Sequence, residues 1–179
     1  MSPGTDRVLR VVQGEFGVSA DPMASFVTVL GSCVAVCLRD PVVGVGGMNH
    51  FLLPGEAAGA DSALRYGAHL MELLINDLMK AGADRRRLEA KAFGGGRINR
   101  TLSDIGAKNA AFARQYLENE GLRLVASDLG GDEGRRLQYW PTTGRALVSR
   151  FSAELSELNE RPPRRSASPC QIDLFTATR

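Results

Sequence analysis

Apolar and polar positions along the chain fall into short strand-like runs, two helical stripes and a tail in which the pattern fades. Residues 8–18 (Val-Leu-Arg-Val-Val-Gln-Gly-Glu-Phe-Gly-Val) predict a strand broken by glycines. Residues 19–25 form a loop, because Pro22 is excluded from a central strand. Runs rich in β-branched residues at 26–30 and 34–38 predict strands on either side of a Gly31-Ser32 turn. Asp40-Pro41 opens a short connection, so 44–53 predicts the next strand, antiparallel to the one before. After a small, polar loop at 55–61 the period changes. From Ser62 onward Leu64, Ala68, Met71, Leu74, Ile75 and Leu78 recur at helical spacing, and Gly82 stands where a C-terminal cap belongs.

Residues 88–93 predict a short strand running into Gly94-Gly95-Gly96. A second helix begins near Ser103 or Asp104, passes through Ile105, Phe112, Tyr116 and Leu117, and stops at Gly121. Strands follow at 122–126, 135–140 and 145–151, separated by Gly- and Pro-containing turns. Residues 160–169 have linker composition and precede a small apolar cluster of Ile172, Leu174 and Phe175. The expected architecture is an α/β domain over 1–151, with mostly antiparallel strands and two main helices. Residues 152–179 are expected to be a flexible linker and tail, with the apolar cluster as a possible tethered docking peptide.

Composition narrows the class. The chain has 179 residues, 44% hydrophobic and 23% charged, enough for one globular core. Its formal net charge of +2 gives no reason to expect nucleic acid or an anionic membrane as partner. No apolar stretch reaches the roughly 20 residues that span a bilayer, and the N-terminus lacks a secretory pattern, so a cytoplasmic protein without membrane insertion is expected. Three cysteines without regular spacing do not make a disulfide framework.

Candidate chemistry sits at Cys33 and at His50, one of two histidines in the chain. A cysteine in a strand is often a plain core residue. Here Gly31 permits a tight backbone just before Cys33, and a Gly-Ser-Cys turn can aim successive N–H groups at one spot, as an oxyanion site needs. A thiol nucleophile needs a base, and His50 at the end of the adjacent strand can supply it. A zinc site from Cys33, Cys37 and His50 fails on distance, because four residues of strand span about 13 Å; no metal and no cofactor are expected. Cys37 reads as core and Cys170 as exposed tail. A third group should orient the imidazole. Asn49 should point to the opposite face and Asp40 lies at the far end of the hairpin, which leaves Thr28 and Ser32, between which spacing does not choose. His69, inside the first helix, reads as structural. The Gly94-Gly95-Gly96 loop lacks the Gly-Lys-Ser/Thr of a phosphate loop; it reads either as a tight strand-to-helix connection or as a place where a substrate backbone comes close.

Several segments, in order, resemble the CheD family of chemoreceptor glutamine deamidases. They are Leu30-Gly-Ser-Cys-Val-Ala-Val36, Gly47-Met-Asn-His-Phe-Leu-Leu-Pro54, Arg65-Tyr-Gly67, Met71-Glu-Leu-Leu74, Lys91-Ala-Phe-Gly-Gly95, Ile105-Gly-Ala-Lys-Asn109, Asp128-Leu-Gly-Gly131 and Thr143-Gly-Arg-Ala-Leu-Val148. The resemblance covers roughly residues 8–151. It implies a three-layer α/β/β sandwich and hydrolysis of receptor glutamine side chains to glutamate, a protein-glutamine glutaminase activity, with receptor methyl-ester hydrolysis as a further possibility. The family's nucleophile and base fall on Cys33 and His50, and its orienting threonine matches Thr28, with Ser32 as fallback or as part of the oxyanion site. Methyl-accepting chemotaxis receptors are the implied substrates and a CheC-type phosphatase a possible partner. Two other classes compete: a non-catalytic chemotaxis adaptor, and a thiol peptidase or amidase.

Overall fold

A computed structural model describes residues 6–53, 59–98 and 104–152, together with the backbone of 172–175. Strands β1 (Arg7–Arg10), β3 (Ala24–Leu30), β8 (Glu133–Tyr139), β9 (Ala146–Ser152) and β10 (Ile172–Phe175) form one sheet in the order β1-β3-β8-β9-β10. Strands β2 (Phe16–Ser19), β5 (Val45–Phe51), β4 (Val34–Asp40), β6 (Glu89–Gly94) and β7 (Arg123–Leu129) form the second, in the order β2-β5-β4-β6-β7. Pairing is antiparallel except between β1 and β3 and between β6 and β7. Helices α1 (Ala60–Lys80) and α2 (Ile105–Asn119) lie on the second sheet. The result is the expected α/β/β arrangement: helices, sheet, sheet.

Side-chain alternation explains the layering. In the central strand β4, Val34, Val36 and Leu38 join the core beneath the helices, with Leu74, Ile75, Leu78 and Leu117. Ala35 and Cys37 point the other way, into a second core with Phe26, Leu30, Met48, Leu137 and Val148. A strand buried on both faces reads as a continuous apolar run, which is how 34–38 reads. In β3, at the outer sheet, alternate residues reach water instead: Phe26, Thr28 and Leu30 are buried, whereas Val29 is exposed.

Four expectations need correction. Residues 8–18 are not one broken strand but two strands in different sheets, joined by a turn at Gly14, whose φ is +86°. The loop expected at 19–25 is shorter, since β2 runs to Ser19 and β3 begins at Ala24. Leu64 is 49% exposed, while the buried face of α1 is formed by Ala63, Gly67, Leu70, Met71, Leu74, Ile75 and Leu78. The helix begins earlier than expected, at Ala60, and packs tightly at Gly67, where a Cβ would meet Leu53 and Phe112. The linker at 160–169 and Cys170 lie outside the described residues.

Candidate active site

The site lies between the two sheets, where residues 31–33 carry the chain from β3 to β4. Ala35 pairs with His50 across the β4–β5 ladder. Cys33 stands two residues before Ala35 and packs against the inter-sheet core, the face that His50 also occupies as an alternate residue to the buried Met48. Cys33 and His50 therefore border the same inter-sheet space, one from the turn before β4 and the other from β5.

Thr28 comes from the opposite sheet. Its Oγ1 lies 2.8 Å from His50 Nδ1, and the Val11 carbonyl lies 3.4 Å from the same nitrogen. A carbonyl only accepts, so the contact with Val11 requires the proton on Nδ1, and the Thr28 hydroxyl accepts from it as well. Nε2 then carries the lone pair. It is buried and has no hydrogen-bond partner among the described residues. An unpaired buried nitrogen is uncommon and calls for an explanation. Burial lowers the His50 pKa from the ordinary 6.5, with the Val11 carbonyl opposing. Burial raises the Cys33 pKa from 9.0, countered by backbone N–H groups of Cys33 and Gly31. Both shifts favour the uncharged forms, the thiol and the neutral imidazole.

The turn that presents Cys33 is clamped from outside. Gly95 N donates to Cys33 O at 2.7 Å and Gly96 N to Gly31 O at 2.8 Å. A Cβ on Gly94, whose φ is +109°, would lie closer to Cys33 O than the 3.0 Å that real Cβ atoms respect. The triple glycine is thus a close-packing device against the cysteine turn. Asn109 of α2 completes the clamp: its Nδ2 donates to Ser32 O (3.1 Å) and Ile105 O (2.9 Å), and its Oδ1 accepts from Leu53 N (2.8 Å). The loop after β7 closes the far side, where Gly130 N donates to Gly94 O and the buried Arg135 donates to Gly130 O and Asp128.

The geometry thus joins Thr28 to His50, and Cys33 borders the same inter-sheet core. Ser32 contributes its carbonyl to the Asn109 clamp. Asn49 faces the helices, accepting from Val36 N and donating to Met71 Sδ. Cys37 is fully buried in the inter-sheet core, and His69 is exposed. Two residues stand at the site without having been singled out from sequence. Asn109 is one. Gln13 is the other: Cys33 Sγ donates to its Oε1 at 3.6 Å. Gln13 reaches the cysteine only because the chain changes sheets between β1 and β2, and strand periodicity carries no signal for that change.

Comparison with known proteins gives consistent matches. A family model described as CheD chemotactic sensory transduction matches residues 52–150, beginning just after His50. A protein from Rhizobium leguminosarum bv. trifolii (strain WSM2304), described as a probable chemoreceptor glutamine deamidase CheD, is 58% identical over 169 residues, covering 90% of this chain and 92% of its own. One from Sinorhizobium medicae (strain WSM419), with the same description, is 53% identical over 175 residues, covering 93% and 95%. Among solved structures, Bacillus licheniformis hypothetical protein YfiH aligns with a TM-score of 0.45 at 14% identity, covering 70% of this chain and 60% of that one.

Proposed function

The chain belongs to the CheD family, and on that premise we propose that it hydrolyses glutamine side chains of chemoreceptors to glutamate, with Cys33 as nucleophile and His50 as base. The observation that carries the residue assignment is the state of His50: Nδ1 is held by Thr28 and Val11 while Nε2 is buried and unpartnered on the face shared with Cys33.

The steps follow from that arrangement. His50 Nε2 takes the Cys33 proton as sulfur attacks the carboxamide carbon. An S–C bond forms and the carbonyl π pair moves to oxygen, where backbone N–H groups of the 31–33 turn stabilise the charge. The imidazolium returns its proton to nitrogen, the carbonyl re-forms, and ammonia departs, leaving a thioester. His50 then draws a proton from water, whose oxygen attacks the thioester; collapse of the adduct breaks the S–C bond, and the imidazolium returns its proton to sulfur, giving glutamate and the free thiol. A methyl ester can enter the same thioester with methanol as leaving group, which makes receptor demethylation a companion activity. The substrate glutamines lie on cytoplasmic receptor segments, so the protein acts in the cytoplasm; no helix among the described residues is long and apolar enough to cross a membrane. A phosphatase of the CheC type is a second partner that the family resemblance supports, and a binding assay between the purified proteins tests it.

Thr28 acts through His50. Thr28→Val keeps the shape and removes the acceptor at 2.8 Å from Nδ1. A buried hydrogen bond of this kind is worth about 1–3 kcal/mol, so kcat/KM should fall roughly 10- to 100-fold. Thr28→Ser should restore most of it, and Ser32→Ala should stay near wild type. If Ser32→Ala alone were damaging, the orienting role would belong to Ser32.

The pH profile separates this site from a resting ion pair. Activity should rise as pH increases through the His50 pKa, which burial places below 6.5, because the base must be unprotonated. It should hold through neutrality and fall only above 9.0, as the thiol loses the proton that ammonia must take with it. An alkaline limb below 9.0 in kcat/KM for a receptor fragment would indicate a pre-formed thiolate–imidazolium pair instead.

A further inference from the structure

We propose that the carboxamide of Gln13 completes the oxyanion hole at Cys33, adding a side-chain donor to the backbone N–H groups of the 31–33 turn. This rests on Cys33 being the nucleophile and says how its tetrahedral intermediate is held. Gln13 touches the reacting atom itself, with Oε1 3.6 Å from Cys33 Sγ. A donor of an oxyanion hole sits about 2.7–3.1 Å from the developing charge, and that oxygen lies one bond from the carbon that sulfur attacks. A group already against Sγ is in range of it.

The backbone around Gln13 is fixed by bonds that do not involve its side chain. Gly14 N donates to His50 O at 2.7 Å, His50 N donates to Glu15 O at 3.0 Å, and Val11 N donates to Val27 O at 3.0 Å. Val12 N is satisfied by the Glu15 carboxylate. The crossing from β1 to β2 is therefore tied to the same histidine that serves as base, and it delivers an exposed amide whose hydrogen bond is to the thiol.

The carboxamide suits both halves of the step. In the resting enzyme the thiol proton is donated to Oε1. Once that proton has passed to His50 Nε2 and the S–C bond has formed, sulfur has nothing left to donate. The carbonyl π pair now sits on oxygen as a full charge. A half-turn of the Gln13 amide exchanges its acceptor for an NH2 with two donors, facing the charge that has just appeared. The group thus stabilises the intermediate more than the substrate, which is the condition for raising kcat.

The test compares Gln13→Ala and Gln13→Glu with wild type and Cys33→Ala, in the full chain, by three readouts. These are kcat and KM for ammonia release from a glutamine-bearing receptor fragment, the affinity of a peptide bearing a side-chain aldehyde, and the thiolate-specific rate of iodoacetamide alkylation at Cys33. The aldehyde forms a thiohemiacetal carrying the same oxygen, whereas alkylation by displacement builds no oxyanion. For Gln13→Ala the expected loss is about 10²–10³-fold in kcat, with KM little changed, aldehyde affinity falling in step, and alkylation unaffected. Gln13→Glu, which sets a carboxylate against the charge, should be at least as poor. A Gln13→Ala enzyme with wild-type kcat overturns the proposal, as does alkylation that falls along with kcat, which would mark a role in placing Cys33. So would finding residue 13 converted to glutamate in wild type but not in Cys33→Ala, which would make Gln13 a substrate in cis. Ammonia release retained by Cys33→Ala removes instead the nucleophile assignment beneath it.

Discussion

Cys33→Ala is expected to release no measurable ammonia from a glutamine-bearing receptor fragment while keeping its fold. Removing a nucleophile whose neighbours act as a unit with it costs on the order of 10⁴–10⁶ in kcat. No other described thiol can substitute, because Cys37 is fully buried in the inter-sheet core and burial pushes its pKa far up. The fold should survive because the turn is held through backbone. Gly95 N, Gly96 N and Asn109 Nδ2 grip the carbonyls of Cys33, Gly31 and Ser32, and none of these bonds uses the sulfur. The check is a coupled ammonia assay beside a thermal melt. A Tm within a few degrees of wild type with activity lost is the predicted pair of results.

His50→Gln is the second large effect, a loss of about 10³–10⁴-fold in kcat at unchanged fold. Glutamine keeps a polar side chain for Thr28 Oγ1 but cannot cycle a proton between sulfur, ammonia and water. The loss should shrink as pH rises past 9.0, because hydroxide then makes the thiolate without a base. That partial recovery is a signature that a merely misfolded variant would not show. Replacing His69, which is exposed on α1, should leave kcat unchanged.

Much of this site is legible in sequence because it is built from strand alternation. The apolar run 34–38 forms the central strand, and the Gly31-Ser32 turn before it carries the chain from one sheet to the other. His50 falls opposite Ala35 through the short connection after Asp40-Pro41. Thr28 is separable from Ser32 only once β3 and β4 are known to lie in different sheets: its even position then points into the inter-sheet space with Phe26 and Leu30. Gln13 is illegible for the same kind of reason. Residues 8–18 look like one strand with glycines in it, and nothing local says that the chain leaves one sheet for the other at Gly14. The helix stripe misleads at Leu64 because close packing at Gly67, rather than apolar size, sets which face of α1 turns inward. Asn109 lies on the buried side of α2, where three backbone partners satisfy it, so a polar residue among small ones marks a clamp on a distant turn.

The central claim is that the amide carbon passes through a thioester on Cys33, and hydroxylamine tests it most directly. An acyl-enzyme partitions between water and an added nucleophile whether or not it accumulates. Mass spectrometry of a receptor fragment treated with wild-type protein and hydroxylamine should show glutamyl hydroxamate beside glutamate at the same glutamines, with the hydroxamate share rising with hydroxylamine concentration; the Cys33→Ala protein should produce neither. Glutamate alone from wild type at every hydroxylamine concentration, or deamidation persisting in Cys33→Ala, would contradict it.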